Sequence, residues 1–476
     1  MSAGQKVVFV SGNFYALHPG HVRLLRFAAE CGNHLVVGVH DITPGTGFPP
    51  PHERVEALKE LGFVGQVVLL DRGLDAFLND LKPDIIVKGK EFETRDNPEE
   101  PILRTYGGKL VFSSGESSYS ARELLLRDAE QDSRPNLRMP PGYAARHACS
   151  AKHIQAIIDK FHGLKVVVVG DVIVDEYVNC TALGMSREDP TVVVSPQSTD
   201  RFIGGAGIVA AHARAMGANV QFISVCGCDE PASYARTQLQ NLGVEVSFVE
   251  DESRPTTLKQ RFRASGKTLL RVSHLRQHDI QKDLKAALQA KALAALSEAD
   301  LLIFSDFSYG ALPQTVVDAL AMAAKNSGAL IAADSQSSSQ LGDIARFKNA
   351  SLLTPTEHEA RLALRDQVGG VAQVGHRLLE VTNGSAAFIT LGPEGILVVT
   401  HVEGGIDETD RLPAFNLNPV DVAGAGDSML VAGAMTLAAG GTPWQAGFLG
   451  SIAAGIQTSR IGNVPIKAAE IVAALS

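Results

Sequence analysis

The chain has 476 residues, of which 45% are hydrophobic and 20% are charged, and its formal net charge is −9. A single hydrophobic core stops growing below this length, so we expect at least two domains. The acidic balance argues against a nucleic-acid surface, and no run of residues approaches the roughly 20 apolar positions of a membrane span. The five cysteines are odd in number and widely spread, which is typical of reduced thiols. We therefore expect a cytoplasmic protein that binds neither nucleic acid nor membranes.

The first part of the chain alternates short apolar runs with helical patterns. The runs predicted as strands are 7–10, 35–39, 67–70, 85–87 and 110–112, and residues 22–31 form the first predicted helix. Such alternation is typical of a parallel sheet covered by helices, so residues 1–130 are predicted to form a small α/β domain with a Rossmann-like sheet. The periodicity then fails in a segment rich in Pro and polar residues. That segment predicts a linker and connecting helix over residues 131–162.

Residues 163–476 are predicted to form a second α/β domain with a doubly wound sheet. Predicted strands at 166–169, 220–225, 301–304, 330–333 and 352–353 are separated by helical patterns. Two stretches, 191–195 and 258–263, are polar and alternate in character along the chain. Alternation is typical of strands with one solvated face, so these stretches predict a β-flap that projects from the main sheet.

Residues 12–21 form a candidate phosphate site between the first strand and the first helix. Backbone N–H groups and the positive end of a helix attract anions at such a junction, and Gly20 lets a ligand approach the backbone closely. His18 and His21 are three residues apart, so both imidazoles can reach one side and donate to phosphate oxygens. The alternative is that two histidines near a turn are structural or solvated.

This segment resembles the His-x-Gly-His signature of the nucleotidyltransferase superfamily. The resemblance extends through residues 52–54, 83–89 and 118–122, and it implies that His18 and His21 stabilise charge on a nucleoside triphosphate. The implied nucleotide-binding residues are Gly12, Phe14, Gly20, Arg54, Lys88, Ser118 and Ser120. The sequence departs from the superfamily pattern at two places. Tyr15 occupies the position of a usual Asp, and residues 41–51 contain no Lys.

Residues 421–428 form the second candidate site, directly before a predicted apolar helix over 429–439. Amides of Gly424, Ala425 and Gly426 at the helix N-terminus can hold negative charge, while Asp427 can accept a hydroxyl proton. The alternatives are an Asp helix cap and a dinucleotide fingerprint. The fingerprint fits less well because Asp427 and Ser428 stand where a third Gly would be expected.

The second site resembles the signature of ribokinase-type, or pfkB, carbohydrate kinases. The resemblance implies that Asp427 is the catalytic base, and that ATP and magnesium are cofactors. Asp175, taken as the end of the first strand of this domain, is implied to contact sugar hydroxyls. Further implied sites are the substrate-binding Gly204 and Gly205, the nucleotide-binding Thr390, Gly392 and Gly395, and the magnesium-associated Glu359. Two positions depart from the pattern, since Thr356 and Ile208 each replace an Asn.

Taken together, the two halves resemble a family of bifunctional heptose 7-phosphate kinases and heptose 1-phosphate adenylyltransferases of lipopolysaccharide precursor synthesis. The segments 186–190, 304–312 and 352–355 carry this resemblance, which implies substrate contacts at Arg187 and Asp306. The domain order is reversed, and Gln336 stands where that family has Lys, so the sugar stays open. The implied partners are a sugar phosphate and a nucleoside triphosphate, with a homodimer formed through the flap.

Three hypotheses follow from the sequence. Both domains catalyse steps on one sugar phosphate, or the kinase domain works beside a nucleotide-binding domain that performs no chemistry. In the third, neither half is catalytic and the chain is an interaction or sensing protein.

Overall fold

A computed structural model describes residues 6–15, 17, 19–42, 49–89, 92, 97–113, 137–186, 189, 191–264, 267–336, 342–401 and 408–475. The chain divides into two compact units, Met1–Ser133 and Arg134–Ser476. In the described part of the chain, no helix is both long and apolar enough to cross a membrane.

The first unit is built on a five-stranded parallel sheet with the order β3-β2-β1-β4-β5. Its strands are β1 Val7–Gly12, β2 His34–His40, β3 Gln66–Leu70, β4 Ile85–Gly89 and β5 Lys109–Ser113. Its described helices are α1 Pro19–Glu30, α2 Pro51–Lys59, α3 Leu74–Leu81 and α4 Glu99–Tyr106. Successive residues of the central strand β1 enter opposite cores, Val8 and Val10 on one face and Val7 and Phe9 on the other. This two-sided burial explains why the strand reads as a continuous apolar run.

The second unit has a nine-stranded sheet with the order β10-β9-β6-β13-β14-β15-β16-β17-β18. Its strands are β6 Lys165–Gly170, β9 Asn219–Cys226, β10 Glu245–Glu250, β13 Leu301–Asp306, β14 Leu330–Ser335, β15 Leu352–Leu353, β16 Ala386–Thr390, β17 Ile396–Thr400 and β18 Glu408–Leu412. The pairings are parallel from β10 to β16, and the last two are antiparallel. Helices cover both faces, so the predicted doubly wound α/β fold is confirmed.

The described α-helices of the second unit begin with a pair that precedes β6. They are α5 Pro141–Arg146, α6 Ala151–Ile158, α7 Ala206–Ala215, α8 Glu230–Asn241, α9 Lys282–Leu296, α10 Gln314–Ser327, α11 Glu357–Leu364, α12 Val371–Thr382, α13 Ala425–Ala438, α14 Pro443–Gln457 and α15 Ala468–Ala474. The helices α5 and α6 lie in the segment read from sequence as linker and connecting helix. Their side chains Tyr143, Ile154 and Ile157 belong to the core of the second unit. The helices α5 and α6 therefore pack against the rest of the second unit.

A four-stranded flap with the order β12-β11-β7-β8 stands apart from the nine-stranded sheet. Its strands are β7 Val172–Met185, β8 Val192–Gly205, β11 Thr257–Ala264 and β12 Lys267–His274. The core strand β6 ends at Gly170, and the flap strand β7 begins two residues later. Asp175 therefore lies on the flap, and the expectation that it ends the first core strand is wrong.

Candidate active site

The second unit contains a cavity of about 850 Å³ between the flap, the sheet and the start of α13. Ten of the predicted residues line it, although they come from distant parts of the chain. They are Asp175, Gly205, Glu359, Thr390, Gly392, Gly395, Gly424, Ala425, Gly426 and Asp427. These ten predicted residues thus converge on one cavity.

The helix α13 begins at Ala425, earlier than the predicted start at residue 429. Gly424 precedes it with φ of 76°, a left-handed conformation that favours glycine, and a Cβ there would collide with the side chain of Asn463. Gly426 faces open space. The first N–H groups of a helix have no partner within the helix, so this turn offers amides to an anion in the cavity.

Asp427 lies in the first turn of α13 with its carboxylate buried. Burial and the nearby charge of Asp175 raise the pKa of Asp427, and the ammonium of Lys259 lowers it, with a net result of about 7. The side-chain amide of Gln336 donates to Asp427 Oδ1 across 3.3 Å. A carboxylate with a pKa near neutrality can accept a proton from a hydroxyl and release it again.

Asp175 reaches the cavity from the flap strand β7. Asn463 Nδ2 lies 3.4 Å from Asp175 Oδ2, and Arg261 Nη2 lies 3.4 Å from Oδ1. Burial raises the pKa of Asp175, while the charges of Arg261 and Lys259 lower it. Gly204 makes room for this carboxylate, because a Cβ at residue 204 would collide with Asp175. Gly204 therefore acts behind Asp175 and is not itself among the residues that line the cavity.

The sequence reasoning missed two cations that line the cavity, Lys259 and Arg261 on β11. Arg261 donates to the hydroxyl of Tyr177. The ammonium of Lys259 lies 4.9 Å from the ring centre of Phe307 and 5.2 Å from that of Tyr309. Residues two apart on a strand share a face, so the basic alternation in this predicted strand is the signal that could have identified them.

Glu359 lies in the first turn of α11, with one carboxylate oxygen committed to the helix start. Glu359 Oε2 accepts from the backbone N–H and the hydroxyl of Thr356, each across 2.8 Å, in a reciprocal capping box. Thr356 thus replaces the expected Asn with a helix cap. Burial and the charges of Glu359 and Asp427 raise the pKa of the neighbouring Asp334.

The structure places one predicted substrate-binding residue, Asp306, away from the cavity. Asp306 is buried, and its Oδ2 accepts from the hydroxyl of Ser335 across 2.9 Å and lies 3.0 Å from Arg346 Nη2. Its Oδ1 accepts from the backbone N–H of Ser308. Asp306 is therefore engaged in a structural network and does not line the cavity. Arg187 lies outside the described residues.

In the first unit, several predicted nucleotide-site residues meet where β1 ends. Gly12 closes the strand, and Phe14 follows in a left-handed conformation with φ of 47°. The ring centres of Phe14 and His21 are 5.0 Å apart, and His21 lies in the first turn of α1, next to Gly20. His18, Ser118 and Ser120 lie outside the described residues.

The two predicted cations of this site are held by the unit's own groups. Arg54 donates to the carbonyls of Asn13 and Ile42 across 2.5 and 3.0 Å, and its guanidinium lies 5.0 Å from the ring centre of Tyr15. Lys88 Nζ lies 2.8 Å from Oε1 of the buried Glu99. Phosphate binding at these residues would thus compete with contacts already made.

Comparison with known families agrees with this geometry. Residues 164–467 match the family described as pfkB family carbohydrate kinase, and residues 9–109 match the family described as cytidylyltransferase-like. The protein is thus an enzyme that combines a carbohydrate kinase domain with a cytidylyltransferase-like domain. Since the first match covers more than half of the sequence, the chain belongs to the pfkB family of carbohydrate kinases.

The curated relatives include the bifunctional protein HldE of Desulfatibacillum aliphaticivorans, 30% identical over 323 residues, and that of Caulobacter vibrioides, 31% identical over 321 residues. These matches cover 67% and 66% of this chain but 64% of each relative, so the chain spans less than two thirds of their length.

Among solved structures, phosphofructokinase-2 from Escherichia coli in complex with substrates and products gives a TM-score of 0.55 at 16% identity, covering 66% of this chain and 98% of that one. Ribokinase from Thermotoga maritima gives a TM-score of 0.51 at 20% identity, covering 66% and 99%. These likenesses confirm the ribokinase-like fold of the second unit.

Proposed function

We propose that this chain phosphorylates a sugar phosphate in its second unit and activates a sugar 1-phosphate as a nucleoside diphosphate sugar in its first unit. The single observation that carries the kinase assignment is the position of Asp427, buried in the first turn of α13 and open to the cavity that it shares with Asp175. The functional division that we propose is 1–130 for the nucleotidyltransferase, 163–476 for the kinase and 131–162 between them.

The kinase step follows from this arrangement. Asp175 accepts hydrogen bonds from sugar hydroxyls and orients the acceptor, whose hydroxyl proton passes to Asp427 as its oxygen bonds to the γ-phosphorus of ATP. The bond between that phosphorus and the β,γ-bridging oxygen breaks, and ADP leaves. The amides of the turn that begins with Gly424 stabilise the negative charge of the transferring phosphoryl group.

Lys259 and Arg261 support an acceptor that already carries a phosphate. Both side chains line the cavity from the flap strand β11. Cations fit the doubly charged phosphate of a sugar phosphate better than the hydroxyls of a free sugar, since charge-assisted hydrogen bonds are roughly twice as strong as neutral ones.

In this proposal, the nucleotide and its metal bind in the part of the cavity away from the flap strand β11. Thr390, Gly392 and Gly395 line that part, and Glu359 lies beside them at the start of α11. No group of three or more His, Cys, Asp or Glu suited to a metal occurs among the described residues. Glu359 nevertheless fits magnesium, which proteins commonly hold through one or two carboxylates together with substrate phosphates. When bound, the ion would neutralise charge on the triphosphate.

The assignment of the first unit rests on its family match and on the junction of Gly12, Phe14 and His21 at the start of α1. The heptose assignment rests on the resemblance of the sequence to heptose-specific bifunctional enzymes.

A second candidate function is favoured by the internal contacts of Arg54 and Lys88, which leave fewer cations for a triphosphate. In that case the kinase works beside a domain that binds nucleotide without chemistry.

We also propose that the flap mediates a homodimer. Leu183, Met185, Val192 and Leu270 on the flap strands are each more than half exposed. Exposed apolar side chains gathered on one element mark protein interaction sites, and a second copy of the flap offers a matching surface. Sedimentation analysis should show a dimer that Met185→Asp dissociates, and a wild-type monomer would contradict the proposal.

The functional test uses the intact chain with two separate assays. ADP release is measured with ATP and a panel of hexose and heptose phosphates, each beside its unphosphorylated sugar. Pyrophosphate release is measured with ATP or CTP and the corresponding sugar 1-phosphates. We expect ADP release that requires the phosphate on the sugar. Equal turnover of unphosphorylated sugars would overturn the acceptor class, and nucleotide binding without pyrophosphate release would favour the second candidate.

A further inference from the structure

Gln336 is a neutral side chain among charged groups in the kinase cavity. It follows the last residue of β14, and its backbone N–H donates to the carbonyl of Asp306 on the neighbouring strand across 2.9 Å. This contact fixes the backbone from which the side chain extends. The side-chain amide then reaches Asp427, 91 positions further along the chain, at 3.3 Å.

We propose that Gln336 is the positioning residue for Asp427, with its carboxamide holding Oδ1 so that Oδ2 is presented to the acceptor hydroxyl. A carboxylate in the first turn of a helix can rotate about two side-chain bonds. One directed hydrogen bond from a backbone-anchored neighbour selects the rotation in which the second oxygen faces the cavity. This inference rests on the proposed kinase reaction, in which Asp427 takes the hydroxyl proton.

The charges around Asp427 explain why a neutral donor suits this position. Asp175 faces it from β7, Lys259 from β11 and Asp334 from β14. Gln336 also favours the ionised form of Asp334, so one amide serves both buried carboxylates. A cation at residue 336 would favour ionised Asp427 more strongly and make it a weaker base. An apolar residue would leave two buried carboxylates without their shared donor.

The test compares three single variants of the full chain. Gln336→Met keeps the length of the side chain but removes the donor, and Gln336→Lys replaces the amide with a cation. Gln314→Met is the matched control, because the amide of Gln314 also donates to a carboxylate, that of Asp318 at 2.8 Å, on an exposed helix surface. Thermal unfolding of each variant monitors the fold.

Two readouts separate positioning from a structural role. The first is the titration of Asp427, followed by carboxyl 13C NMR of aspartate-labelled protein and assigned by the signal missing in Asp427→Asn. The second is the pH profile of kcat/KM for ADP release, with heptose 7-phosphate as the acceptor.

In Gln336→Met we expect the midpoint of the Asp427 titration to rise. We also expect kcat to fall about 10-fold to 100-fold, because the base is misaligned, with an unchanged KM for ATP. In Gln336→Lys the midpoint should fall, while Gln314→Met should resemble wild type.

Several results would overturn the inference. An Asp427 midpoint that is the same in wild type and both Gln336 variants would show that the amide does not hold the carboxylate. A shifted midpoint with wild-type kcat in Gln336→Met would show a contact without a positioning role, as would an equal loss in Gln314→Met. Absence of ADP release by the wild type would instead contradict the proposed function, and the NMR titration would still decide whether Gln336 holds Asp427.

Discussion

The two candidate sites differ in what their charged residues are doing. In the kinase unit, Asp175 and Asp427 are buried beside an open cavity, and burial raises the pKa of both. In the first unit, Arg54 is held by backbone carbonyls and Lys88 by Glu99. The first arrangement holds charges in an unfavourable environment next to space for a ligand, which is typical of catalytic sites. The second satisfies its charges internally, so nucleotide binding there requires these contacts to be exchanged.

The sharpest test of this contrast is removal of the kinase base. Asp427→Asn preserves the shape of the side chain but cannot accept the proton, so we expect kcat for ADP release to fall about 10²-fold to 10⁴-fold. ATP binding, measured by calorimetry, should persist. Asp283→Asn is the control, because Asp283 also lies in the first turn of a helix but does not line the cavity. Wild-type turnover by Asp427→Asn would refute the assignment of the base.

The corresponding change in the first unit is His21→Ala. If this domain is catalytic, loss of a donor to the triphosphate should reduce pyrophosphate release about 10²-fold to 10³-fold, as for removal of an oxyanion donor. We expect the same for His18→Ala. ADP release from the kinase should be unchanged in both variants of the intact chain. Slow wild-type turnover would agree with the engaged Arg54 and Lys88, whereas histidine variants that match wild type would favour the non-catalytic alternative.

A smaller and more selective effect is expected at Asp175. Removing its hydrogen bonds to sugar hydroxyls in Asp175→Ala should raise KM for the sugar phosphate about 10-fold to 100-fold, the range expected for hydrogen bonds to a charged group. KM for ATP should change little. Asp318→Ala on the exposed helix α10 is a suitable control. Equal changes in both KM values would indicate that Asp175 supports the cavity as a whole and does not select the sugar.

The residues that could be predicted from sequence are those in which one local segment contains both the chemistry and the geometry. Residues 424–427 lie consecutively at the start of α13, so the proposed anion-binding turn and the proposed base belong to a single motif. Asp175 was predicted to contact the substrate, but it was placed on the wrong element. Apolar runs lie on both sides of Gly170 and Asp171, and periodicity does not reveal that the chain changes sheets between them.

Contacts between distant segments could not be predicted from the sequence. Asn463 meets Asp175 across 288 positions, and Gln336 meets Asp427 across 91. Asp306 was implied to be a substrate contact by the resemblance, and it lies at the end of a parallel core strand, a common ligand position, but it does not line the cavity. Its carboxylate is instead paired with Arg346, and nothing local in the sequence signals that partner. Tertiary packing alone decides which buried acid faces the cavity.

The smallest expected effect is a shift in the pH dependence of the kinase. The base must be ionised to accept a proton, and the pKa of Asp427 is about 7, so kcat/KM for the sugar phosphate should fall as pH decreases through neutrality. Lys259 opposes this raised pKa because its positive charge favours the carboxylate. Lys259→Met should therefore raise the pKa of Asp427 and move the acid limb of the pH profile to higher pH.

The same variant should weaken binding of a sugar phosphate more than that of the unphosphorylated sugar. Lys285→Met, which removes a cation paired with Asp279 outside the cavity, should leave the profile in place. An acid limb that is unmoved in Lys259→Met would show that this ammonium does not act on the base, and the burial of Asp427 would then account for its high pKa without an opposing cation.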